Sequence, residues 1–265
     1  MTLQKRQAIK AIILLLFASF IFILHQSGDM KHFIHPNYLH FSQFASVIFL
    51  ILFFFQVPRI FRPLEAEYDH SLCGPWGCQH EEEGSSLKMI LSIGIISIPL
   101  LTGFMMPYRT FGAEEALKRG IQYSGLDHQL SSGIELANGH IKSLMTQPLI
   151  RLDHTGFTEY IGMISEYPEV FEGKEIEIEG FIAEDQFMSK REKVIARFQV
   201  THCVADAHAS GFILENSDEF DLMNNTWVRI KGTLKVKEEN QQYIPVINVK
   251  AVENIDTPQN PYIFS

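Results

Sequence analysis

Cysteine is scarce in this chain, with three in 265 residues, and that excludes a disulfide-built scaffold. No G-x4-G-K-[ST] run occurs, so the sequence encodes no recognisable phosphate-cradling loop to supply energy. Positive charge is short in one part only. The formal charge is −9, yet residues 1–110 sum to +1 and residues 111–265 to −10. A domain at −10 repels phosphate, which argues against nucleic acid as a partner. Charge of either sign is missing from three apolar runs in the first part.

Those runs are Ala11–Leu24, Phe44–Val57 and Met89–Met106, and the only strongly polar member of the second is Gln56. A crossing helix needs about 20 mostly apolar residues. Ile9 and Phe41–Gln43 extend the first two, so the expected spans are about 9–25, 41–57 and 89–106. Run one, with Lys5, Arg6 and Lys10 ahead of it, also fits a signal peptide. However, His25–Gln26–Ser27–Gly28 follows it rather than an A-x-A cleavage site. Basic residues precede run one and lie between runs two and three (Arg59, Arg62, Lys88), whereas only Lys31 lies between runs one and two. That bias predicts a multi-pass membrane protein, N-terminus inside and everything after Met106 outside. Pro99 and Gly103 inside run three predict a kink.

Two loops carry candidate ligands. Loop 25–43 holds His25, His32, His35, His40 and Asp29, which also fits interfacial histidines at a membrane surface. Loop 58–88 sets His70 and Cys73 at H-x2-C spacing, then Cys78 and His80 at C-x-H. Two thiolates and two imidazoles suit tetrahedral zinc, the cofactor such a set would hold. The bland alternative is an acidic linker with incidental cysteines.

Residues 108–157 read as a connector with short helices. Thr158–Phe171 has helical spacing, with Thr158 as N-cap and Pro168 as its end. Beyond Gly173 the period becomes two: Ile176 and Ile178 alternate with Glu175, Glu177 and Glu179. Strands are expected at 174–183, 194–202, 211–215, 227–236 and 244–252, with Gly180 and Gly232 at bends. Five short strands over residues 158–265 predict a small OB-like β-barrel in an α+β domain. The expected fold is three N-terminal transmembrane helices followed by this extracytoplasmic barrel.

The chemically densest stretch is Thr201–His208. His202, Cys203, Asp206 and His208 could hold a metal or small ligand. Alternatively, Cys203 is a small hydrophobe and Asp206 caps a turn. A Cys203 nucleophile is a third alternative; the favoured reading is non-enzymatic.

The chain resembles the YcgQ-like family of bacterial membrane proteins, described as subunits of a two-component permease. The matching pieces are SGDMKHFIHP, the Cys/His/Glu-rich second loop, YPEVFEGKEIEIEGFI, ARFQVTHCVADA, WVRIKGTL and NPYIF. The most specific is R-F-x-V-x-x-C-x-A-D-A, from Arg197 to Ala207. Many members have Cys-Cys where this chain has His202–Cys203, so dithiol chemistry does not carry over. The resemblance implies a multi-span permease as partner, alongside the lipid bilayer. The expected function is an accessory permease subunit whose outer domain captures or gates a solute, a metal cation being suggested by the Glu-rich faces and the His/Cys segments. The alternative is an envelope assembly module without a transport role.

Overall fold

The computed structural model describes residues 4–61, 86–105, 109–123, 134–185, 192–239 and 242–265. The chain divides into two compact units, Met1–Lys31 with Pro36–Arg109, and His32–His35 with Thr110–Ser265.

The first unit is built from α1 (Lys5–Ser27), α2 (Leu39–Ile60) and α3 (Ser86–Met105). α1 ends at Gly28, whose φ of 81° only glycine adopts freely, and its N–H donates to the His25 carbonyl. α1 and α2 are each long and apolar enough to cross a membrane; the apolar stretch Ile90–Met105 of α3 is shorter. Phe44, Phe54, Phe55, Ile90, Leu91 and Met105 are all exposed. Helices apolar on every side and uncovered by protein fit a lipid solvent better than water. Between the helices, Phe17 stacks on Phe49 at 5.4 Å and Phe20 meets Phe104 at 4.9 Å between ring centres, and polar ties join them. Ser46 Oγ donates to the Ala18 carbonyl at 3.0 Å, and buried Gln56 donates through Nε2 to Gln7 Oε1 at 2.5 Å. The one strongly polar residue of the second run is therefore an interhelical tie. α3 runs on through Pro99 to Met105, and Thr102 Oγ1 donates to the Ile98 carbonyl at 3.0 Å.

The second unit holds α4 (Ala113–Arg119), β1 (Ile121–Gln122), α5 (Ile134–Thr146), β2 (Leu149–Leu152) and α6 (Phe157–Glu166). There follow β3 (Glu175–Asp185), β4 (Glu192–Val200), β5 (His208–Glu215), β6 (Trp227–Glu239), β7 (Gln242–Asn254) and β8 (Tyr262–Phe264). β3 is antiparallel to β4 and β6, β4 to β5, and β6 to β7, while β5 and β7 run parallel. These pairings close a circuit, β3–β4–β5–β7–β6 and back to β3. β2, β1 and β8 join in parallel on β3, β5 and β4. The stretch 108–157, expected as a connector with short helices, holds α4 and α5 and, in addition, the strands β1 and β2.

The five expected strands are present with longer ends, except that the second stops at Val200 and the chain turns at Thr201. The expected helix 158–171 is two pieces, α6 and a 3-10 turn at Pro168–Phe171. Its N-cap position is Gly156, not Thr158, and the Asp153 carboxylate takes the amides of Thr155 and Gly156 instead. Gly180 lies where β3 passes from β6 to β4; a Cβ there would sit 2.6 Å from the Ala196 carbonyl oxygen. Gly232 marks a register shift between β6 and β7.

Two apolar clusters lie on opposite faces of this sheet. One holds Ile176, Ile178, Ile195, Phe212 and Ile247, closed by Phe157, Ile161 and Ile164 of α6. The other joins Phe181, Ala196, Phe198 and Trp227 to Ala113 and Ala116 of α4 and to Tyr262 of β8. β4 is buried on both faces from Val194 onward, so it reads as a continuous run rather than an alternation.

Candidate functional site

The β4–β5 turn is organised by Asp206. Its Oδ1 accepts from the Thr201 amide at 3.1 Å, and its Oδ2 accepts from the amides of His202 (2.9 Å) and Cys203 (3.3 Å). The His202 ring Nδ1 lies 3.2 Å from the same Oδ2. Partial burial raises the carboxyl's pKa, but the amides of Cys203, His202 and Thr201 and the His202 ring outweigh it. The net is a pKa below the usual carboxylate value. Asp206 is thus the turn-capping residue of the bland alternative. From α4, Arg119 NH1 donates to the Ala207 carbonyl at 2.7 Å and to that of Ala205 at 3.3 Å, while its guanidinium lies over the Phe111 ring.

A second segment completes the turn. Residues 32–35, from the histidine-rich loop after α1, lie on it as a strap. Ile34 and Cys203 form an antiparallel bridge; the His35 amide donates to the His202 carbonyl at 3.0 Å, and the Val204 amide to the Phe33 carbonyl at 2.8 Å. His35 is buried, its ring edge-on to Phe264 at 5.2 Å.

His202 and Asp206 are therefore together, Cys203 is a half-buried free thiol under the strap, and His208 opens β5 opposite Gln199. Among the described residues no three His, Cys, Asp or Glu side chains are grouped so as to hold a metal ion. Both oxygens of Asp206 are engaged within its own turn, by the amides of Thr201, His202 and Cys203 and by the His202 ring. His70, Cys73, Cys78 and His80 lie outside the described residues. The Glu row of β3 is engaged too: Glu175 pairs with Lys250, Glu177 with Lys231, and Glu179 with Arg229 at 2.7 Å. That face is a charge ladder across strands, not a bank of free carboxylates awaiting a cation.

Arg197 is a further feature that spacing did not single out. Only 2% exposed, it points among Phe157 and Trp227, 5.9 and 5.5 Å from their ring centres. Its NH2 donates to the Asn260 carbonyl at 3.2 Å, but its buried Nε has no hydrogen-bond partner among the described residues. Burial pushes its pKa down to about 10, with Glu179 and Asp153 opposing. Neighbouring His154 is held below its ordinary value, by burial first and then by the Arg197 charge. The available signal was a lone charge inside the otherwise apolar VIARFQV. Nothing in the sequence pattern pointed to Arg119 or to the strap.

The other face of β3, β4 and β5 is occupied by the chain itself. α4 lies on it with its first amide capped by Asn225 Oδ1 at 2.9 Å, and the Phe111 amide donates to the Tyr262 hydroxyl at 2.9 Å. Phe181 and Phe198 stack beneath at 5.6 Å between centroids.

The chain is similar to known proteins along nearly its whole length. The chain is 26% identical to UPF0703 protein YcgQ of Bacillus subtilis, over 96% of this chain and 98% of that one. It is 22% identical to a Streptococcus mutans protein named "Putative two-component membrane permease complex subunit", over 91% and 93%. The DUF1980 N-terminal domain matches residues 9–122, and the DUF1980 C-terminal domain residues 133–265. In both of its parts, the chain belongs to the YcgQ-like DUF1980 family.

Proposed function

We propose that this protein is the accessory subunit of a membrane permease, with three spans and an extracytoplasmic OB-like domain that gates its partner. The observation that carries this reading is the strap. Residues 32–35 follow α1 and precede α2, yet they pair with residues 202–204. The loop and the domain therefore share a compartment. α2 takes the chain across the bilayer, so a second crossing must return it before Thr110. α3 is the apolar helix in that interval, and the scarcity of basic residues in loop 25–43 favours the outside for both.

The closed five-strand circuit supports an OB-like barrel. Proteins of that architecture bind ligands on the face of strands two and three, which correspond here to β4 and β5. With α4 and β8 over that face, gating through the strap fits better than solute capture on the barrel. The reading assigns no catalysis, because the single carboxylate of the Thr201–His208 turn is engaged by backbone amides. A metal cation is the candidate solute on the strength of His70, Cys73, Cys78 and His80, whose chemistry fits zinc.

Reporter fusions after Ser85 and after Ser265 test the compartments: inside for the first and outside for the second. Co-purification with a polytopic permease tests the partnership. The His35→Pro variant, which removes the amide that donates to the His202 carbonyl, should still assemble with that permease but lose transport. Transport that survives it favours the assembly-module alternative. Calorimetric zinc titration of the full chain, with and without His70, Cys73, Cys78 and His80, tests the solute; identical heats remove the metal.

A further inference from the structure

We infer that the cleft between α1, α2 and α3 is a binding site for one anionic phospholipid. The cleft has a volume of about 410 Å³, within the range of small-ligand sites. Its α1 wall consists of Arg6, Lys10, Ile13, Leu14 and Phe17. Their three- and four-residue spacing puts all five on one helix face. Over roughly 16 Å that face changes from cationic to purely apolar. Phe49 of α2 and Ile93 of α3 continue the apolar walls.

The charge arrangement selects the occupant. The first turn of α1 has no acidic residue, and neither Arg6 nor Lys10 makes an ion pair among the described residues. Gln56, the polar residue α2 contributes, is already bonded to Gln7. Two cations with no ion-pair partner among the described residues, at one end of an apolar cleft, ask for an anion joined to a hydrocarbon chain. Inorganic phosphate would satisfy only the cations, and an apolar partner helix only the walls. A phospholipid of net negative charge satisfies both, and basic pockets between transmembrane helices take such headgroups.

The inference rests on the reading that α3 lies in the bilayer. The test is native mass spectrometry of the full-length protein in mild detergent, offered phosphatidylglycerol or phosphatidylcholine. Phosphatidylglycerol should be retained about tenfold better, and the preference should vanish in the double variant Arg6→Gln, Lys10→Gln. Ile93→Trp should lower retention of both lipids, and added inorganic phosphate should not compete. Equal retention of the two lipids by the wild type, or an undiminished preference in the double variant, overturns the proposal. So does a photo-crosslinker at Ile93 that captures a permease helix in place of lipid. Thiol labelling of Gly94→Cys in the same membranes separates the two failures. A protected thiol with indifferent lipid retention sinks the lipid site alone; a thiol labelled from water sinks the spanning of α3 on which it rests.

Discussion

Ile34 and Cys203 face each other as a non-hydrogen-bonded antiparallel pair, flanked by the His35–His202 and Val204–Phe33 backbone bonds. Such pairs bring Cα atoms to about 4.5 Å, within the span of a disulfide. A single Ile34→Cys substitution should therefore form a disulfide with native Cys203 in an oxidising compartment. Non-reducing mass spectrometry after thiol alkylation reads it directly. Two free thiols at these positions in the purified protein after mild oxidation would mean that the strap is not docked.

The capping role of Asp206 predicts an acid-sensitive turn. Its folded pKa lies below the unfolded value of about 3.9, so the carboxylate's contribution is complete above that pH. It is lost as pH falls through the lower folded value. Asp206→Asn should cost about 1 kcal/mol at neutral pH, the group being about one-third exposed. In a domain this size that is a drop of about 2–4 °C in the melting temperature. The variant should also lose part of the steepness of the wild type's acid limb. An unchanged melting temperature at pH 7 would deny the cap its role.

Arg197 is charged and nearly dry below its folded pKa of about 10, and this desolvation opposes folding at neutral pH. Arg197→Met preserves volume against Phe157 and Trp227 without the charge, so thermal stability should hold or rise. Arg197→Ala leaves a cavity and should cost about 2–4 kcal/mol. If the Met variant is less stable than the Ala variant, the guanidinium is better compensated than its orphan Nε indicates.

Gly180 has the Ala196 carbonyl, with the buried Ile195 side chain beside it, against its missing Cβ. Gly180→Ala should cost at least about 1–3 kcal/mol through overpacking, because neither β3 nor β4 can retreat while both stay in the circuit. Circular dichroism melts of the full chain check this, and a loss below about 0.5 kcal/mol would show that the strands slide apart easily.

Much of the sheet was legible because period two survives wherever one face is wet. The Ile176–Ile178 row against Glu175, Glu177 and Glu179 could be read directly. The Glu partners could not, since Lys231, Arg229 and Lys250 arrive from strands more than forty residues later. β1 and β2 escaped notice because two and four residues give no period, and parallel strands leave no hairpin turn between them. Cys203 and Asp206 were picked out for chemistry by their residue types. The geometry assigns them to holding a turn, and no local pattern tells a capping carboxylate from a ligand.

The strap also sets an order of biogenesis. Residues 32–35 are synthesised before α2, whereas their partners at 202–204 come after every apolar helix. The loop must wait until β4 and β5 have met across their turn. Closure of this long-range contact is a slow, late step of folding. A protease can therefore distinguish an unfinished chain from a finished one by whether residues 32–35 are still open to cleavage.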